Sequence, residues 1–191
     1  MANNDAIGSR DHGRDLEEDY FRRQDRELIE RMRREAEAAA TKKALGERVG
    51  LSDPQLLADL EAMGFTPDTV SLLPVMPVIQ VAWAEGGVSA SERELVVDFA
   101  RKRGIPEGSA ADQQLQEWLT RRPSDDVFAK ATRLIKAMLA AGSDATQDLS
   151  ASDLVAYCER IAQASGGLFG IGAVSAEERA ALQRIQQSLK P

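Results

Sequence analysis

Histidine and cysteine are almost missing from this chain: there is one of each in 191 residues, His12 and Cys158. A lone cysteine excludes an intramolecular disulfide and a cysteine-rich zinc site. A lone histidine in a polar leader argues against multi-histidine metal ligation and against histidine base catalysis. Aromatic residues make up only 5% of the chain. The core must therefore be aliphatic and alanine-rich, which favours packed helices over a sandwich or barrel. No apolar run approaches the roughly 18 residues of a membrane span. The start, Met1 to Asp15, has no apolar stretch of the secretory kind. We expect a cytoplasmic protein, with no more than a peripheral tie to a membrane complex. Positive charge is in deficit as well: 24 Lys and Arg stand against 31 Asp and Glu, a net charge of −7. That balance argues against a general nucleic-acid binder, which needs clustered cations for phosphate contacts.

What is present begins at Arg14. Residues 1–13 are polar, hold two glycines and show no periodicity, so they are expected to be disordered. From Arg14 to Leu45 there is neither proline nor glycine, and most residues are good helix formers. Acids open the stretch (Asp15, Glu17, Glu18, Asp19), and Lys42 and Lys43 stand near its end, the polarity that a helix dipole favours. This predicts a charged amphipathic helix over 14–46, ended by Gly46 and Gly50. Its apolar stripe is thin: Leu16, Tyr20, Phe21, Leu28 and Met32, then Ala36 and Ala39, with Ile29 beside it. So narrow a seam suits one partner helix or a groove, not a full globular face. Three occupants fit the pattern: the chain's own domain, a second copy in a coiled coil, or a separate protein. Residues 1–50 carry a net charge of −1 and residues 51–191 a net −6, so the helix is charged but balanced and the remainder is acidic.

Residues 50–191 read as one all-α domain, bringing the expected total to about eight helices. Helix starts are marked by Ser52 or Asp53 before Pro54, and by Ser89 and Ser124; stops are marked by Gly64, Gly86-Gly87 and Gly104. Pro74 and Pro77 should bend or delay the helix around them. Leu95, Val96, Phe99, Leu115, Leu119, Phe128, Leu134, Ile135 and Met138 supply periodic apolar positions. Trp83 and Trp118 are expected in the core, and Cys158 is expected to be a buried structural residue, with no Lys, Arg or His directly before it. Strand alternation is nowhere sustained.

One corner is written twice. Val88-Ser89-Ala90-Ser91-Glu92-Arg93 is matched by Val174-Ser175-Ala176-Glu177-Glu178-Arg179. Gly86-Gly87 precedes the first, and Gly166-Gly167 precedes the second after an insertion at 168–173. The unit is an apolar helix, a glycine stop, one buried valine and a new helix. Ser89 with Glu92, and Ser175 with Glu178, form the S-x-x-E of a capping box. Capping alone could produce the repeat. The alternative is a duplicated metal-binding hairpin. A calcium loop of the EF-hand type is excluded by ligand count, because positions 1, 3 and 5 would be Val81, Trp83 and Glu85, or Gly167, Phe169 and Ile171. The acids left for a divalent cation are Glu85, Glu92 and Glu178, with Glu177 beside the last.

The run from Ala84 to Glu92 resembles the corner motif of the tellurite-resistance TerB-like family, Ala-Asp-Gly-x-(Ile/Val)-x-x-x-Glu. The resemblance covers about residues 66–191; Glu85 replaces the aspartate, and the second copy carries Ser165 and the insertion. It implies an all-helical fold with a duplicated hairpin, a divalent metal on acidic residues, and a stress-associated scaffold role near membrane complexes. Residues 13–33 are similar to the inhibitory helix of the mitochondrial ATP synthase inhibitor protein, through Glu17, Glu18, Tyr20, Phe21 and Arg22. That likeness implies a regulator whose helix enters a partner enzyme, with Leu28 and Met32 continuing the contact face. No acid–base pair with supporting residues stands out, so the chain is expected not to be an enzyme and to need no certain cofactor. The glycines of 166–172 lack the Gly-Lys-Ser/Thr ending of a phosphate loop.

Overall fold

The structure, a computed structural model, describes residues 5–142, 149–165 and 174–190, with side chains described from Tyr20 onward except at Ser165. Among the described residues there are eight α-helices, one 3₁₀ helix and no strand. The all-α expectation holds. Two units divide the chain, residues 1–41 and residues 42–191.

Helix α1 runs from Asp5 to Val49. Its start corrects the expected disorder of 1–13: residues 5–13 are helical. No proline interrupts this stretch, and each glycine in a helix costs only about 1 kcal/mol. Its end corrects the expected stop at Gly46. The helix passes through Gly46, and Gly50, with φ of 66°, ends it. Gly46 serves packing instead. A Cβ there would stand 2.8 Å from the Leu51 carbonyl oxygen and 3.3 Å from Leu57 Cδ1. The Leu51 N–H donates to the Gly46 carbonyl at 3.1 Å, so the chain folds back tightly over this residue.

In the second unit the helices follow their caps. Helix α2 (Pro54–Ala62) starts at Asp53, whose carboxylate accepts from the N–H groups of Gln55 and Leu56. Val70–Val75 forms a 3₁₀ helix around Pro74, and α3 (Met76–Ala82) begins only after it, with Pro77 in its first turn. Helices α4 (Ala90–Lys102), α5 (Ala110–Thr120), α6 (Asp125–Ala141), α7 (Ala151–Ser165) and α8 (Ala176–Leu189) complete the order.

The short helix α3 is the centre of the core. Met76, Val78, Ile79 and Val81 are fully buried, and α3 packs against α4, α6, α7 and α8. Helix α4 lies on α7, where the Phe99 and Tyr157 ring centroids are 4.3 Å apart. The two related hairpins, α3–α4 and α7–α8, thus pack against each other. Phe65 meets Trp118 edge-on at 5.5 Å, and Trp83 Nε1 donates to the Trp118 carbonyl at 2.8 Å. The tryptophans tie the end of α3 to the end of α5. Cys158 is fully buried in α7, and burial pushes its thiol well above the ordinary range.

The contact at Gly46 yields a sharp contrast. Gly46→Ala gains about 1 kcal/mol of helix propensity. It must also displace a backbone carbonyl, and overpacking of that kind costs about 1–3 kcal/mol. Gly87→Ala, at a position with nothing within 4 Å of the added Cβ, should leave stability within about 0.5 kcal/mol. Urea midpoints of the two variants are expected to separate, with Gly46→Ala the lower.

Candidate functional site

Both repeated corners are complete capping boxes. At the first, the Ser89 N–H and hydroxyl donate to Glu92 Oε2 at 2.8 and 2.7 Å, and the Glu92 N–H donates to Ser89 Oγ at 3.3 Å. At the second, the Ser175 N–H donates to Glu178 Oε2 at 2.8 Å, and the Glu178 N–H donates to Ser175 Oγ at 3.1 Å. Val88 and Val174 pack against the core but are half-buried, less than the buried corner valine expected from the sequence. The insertion at 168–173 and Gly166-Gly167 lie outside the described residues.

The glutamates of both boxes are buried. Glu92 is 3% exposed and Glu178 0%. Burial raises the Glu92 carboxyl above the ordinary glutamate range, against the lowering effect of its bonds from Ser89; the charges of Glu178 and Glu85 push it further up. The Ser91 hydroxyl donates to the Ala164 carbonyl at 3.2 Å, which joins the first corner to the last turn of α7. The hairpin packing therefore brings Glu92 and Glu178 into each other's field, and Glu85 adds its charge to that felt by Glu92 from an exposed position.

A divalent cation does not fit this arrangement. Among the described residues no three Asp, Glu, His or Cys side chains converge to hold a metal. The capping contributes to this: Oε2 of each buried glutamate is turned back onto the amide of its own N-cap serine. Hard cations need several converging oxygens.

The other predicted site lies on α1. Tyr20, Phe21, Leu28, Ile29 and Met32 are between 44% and 62% exposed, and among the described residues these are all of the large exposed hydrophobics. Arg22 is exposed beside them. Tyr20 and Phe21 form an edge-on pair at 5.9 Å. Glu17 and Glu18 fall in the helix, but their side chains lie outside the described residues. Sequence reasoning missed two acid-based caps. Asp153 accepts from the Ser150 N–H at 3.0 Å, and Asp112 accepts from the Gly108 N–H at 2.9 Å and from Arg101 at 2.8 Å. The Ser-x-x-Asp spacing was the available signal. It also missed a cleft of about 480 Å³ whose lining includes Arg48, Asp68, Ser71, Arg103 and Ser109, residues too far apart in sequence to form a motif.

No family model, curated protein or solved structure matches the chain. What fold and site define is a class by architecture: an all-helical protein with a duplicated capped hairpin and an apolar stripe open to solvent on its first helix. No helix among the described residues is long and apolar enough to cross a membrane.

The buried carboxyl has a measurable signature. Native Glu92 holds its proton more tightly than the unfolded chain does. Its contribution to stability is therefore fullest below the ordinary glutamate pKa of about 4.3 and is lost as pH rises through the raised native value. Glu92→Gln removes that dependence while keeping an oxygen for the Ser89 N–H. Urea midpoints taken from acid to neutral pH should show the variant gaining on the wild type as pH rises. Curves that stay parallel would assign Glu92 an unperturbed carboxyl.

Proposed function

We propose that this protein is a non-enzymatic interaction protein of the TerB-like kind, in which a compact helical body carries a charged helical arm that docks onto another protein surface. One observation supports this above the rest: every large hydrophobic side chain exposed among the described residues falls within Tyr20–Met32. Covering the open part of such side chains is worth roughly 1 kcal/mol each. A stripe one or two residues wide matches one helix or one groove. The balanced charge of residues 1–50 and the net −6 of residues 51–191 favour a protein over a nucleic acid.

The duplicated corner supports a TerB-like body, and its buried glutamates act in folding. The metal-responsive behaviour that the resemblance implies has no converging ligand set among the described residues, so the docking proposed here calls on no metal. We set the protein in the cytoplasm, where a lone buried thiol such as Cys158 stays reduced.

Photo-crosslinking side chains introduced in living cells at Leu28 and Met32 should give discrete protein adducts. The same group at Gln113, an exposed position on α5, should give far fewer. Adducts at Gln113 with none at Leu28 or Met32 would move the docking surface off the arm.

A further inference from the structure

We propose that the surface covering this stripe is the arm of a second copy of the chain, running antiparallel. The proposal rests on the docking role of the arm and names its partner. Two independent patterns on α1 point to it.

The first is spacing. Phe21, Leu28, Met32 and Ala39 are all exposed, and at 3.6 residues per turn they fall within about 40° of one another around the helix. Their separations are seven, four and seven residues, a pattern that reads the same in both directions about Glu30. Two such helices, related by a two-fold axis at Glu30, set Leu28 against Met32 and Phe21 against Ala39 at both ends of the contact. An isologous dimer interface requires this self-complementarity.

The second is charge. Residues 14–19 carry a net −3, residues 20–30 a net 0 and residues 31–43 a net +3. A parallel in-register pair would lay each charged block against its own copy, minus on minus and plus on plus. The antiparallel pair about Glu30 lays the acidic end, with Glu17 and Glu18, along Lys43 and Lys42. Charges flanking an apolar seam select orientation in this way. The same register brings Asp25 toward Glu35 of the second copy. Each has an arginine one turn away on its own helix, Arg22 and Arg31. This pair of acids keeps the association weak, and Glu35→Ala is expected to tighten it roughly fivefold, the size of a removed like-charge contact.

Sedimentation velocity on the full chain, from micromolar to millimolar concentration, should show a reversible monomer–dimer equilibrium. Leu28→Glu/Met32→Glu should weaken it at least about tenfold, through charge forced into the seam, while the melting of the body stays unchanged. Orientation is read by mixing a Phe21→Cys chain with an Ala39→Cys chain under mild oxidation. The native Cys158 is fully buried, so the introduced thiols are the reactive ones. Antiparallel pairing gives the mixed disulfide. It leaves two Phe21→Cys positions about 27 Å apart along the axis, by the 1.5 Å rise per residue. Disulfides within each variant, without the mixed product, would overturn the orientation. A chain monomeric at millimolar concentration would overturn self-pairing. In that event, adducts to other proteins from Leu28 would leave the docking role of the arm standing, and their absence would remove both.

Discussion

The first amides of a helix have no partner in its own ladder, and how the chain supplies one governs the corners of the body. At the starts of α4 and α8 a buried glutamate carboxylate accepts from the amide of its own N-cap serine, although the serines themselves and the residues directly after them stand at least partly open to solvent. Each box fixes where its new helix begins. Both corners use the same device, and the hairpins α3–α4 and α7–α8 meet through α3 and α7. The cost appears in the electrostatics: burial makes Glu92 hold its proton more tightly, and the nearby charge of Glu178 adds to that.

What could be read from the sequence was what is local. Ser89 with Glu92 and Ser175 with Glu178 are three residues apart, and the bond each pair makes depends on little beyond that interval. Pro74 and Pro77 act on their own backbone, and the delayed start of α3 follows directly. Gly46 was misread for the opposite reason. By propensity it is a stop, yet its role comes from a carbonyl that passes over it from Leu51, and nothing in the flanking residues announces that approach. Glu92 and Glu178 are far apart along the chain, so their meeting belongs to tertiary packing. The expected ligand set does not converge among the described residues. Counting acids says how many oxygens exist, whereas the caps decide where they point. The cleft lined by Arg48 and Arg103 was invisible for the same reason as the glutamate pair.

The arm and the body answer different physical demands. In the body, few aromatics and many aliphatic side chains pack helices around α3, and three of the six buried polar side chains among the described residues, Glu92, Asp112 and Glu178, serve as caps. Along α1 from Tyr20 to Thr41 nearly every side chain is exposed. There the sequence is free to arrange charge by block and apolar residues by spacing, and both arrangements carry information about orientation that a buried helix has no room to encode.

Helical content and cooperativity therefore report on different parts of this protein. The exposed stretch of α1 is held mostly by its own backbone bonds and by neighbours one turn away, so its order decays gradually with temperature, residue by residue. Far-ultraviolet ellipticity would register that slope. A calorimeter would register chiefly the loss of the core around α3, in a single sharp absorption of heat. The two instruments would give different curves for one healthy molecule, and disagreement between them would be a property of its architecture and not a sign of an unfolding intermediate.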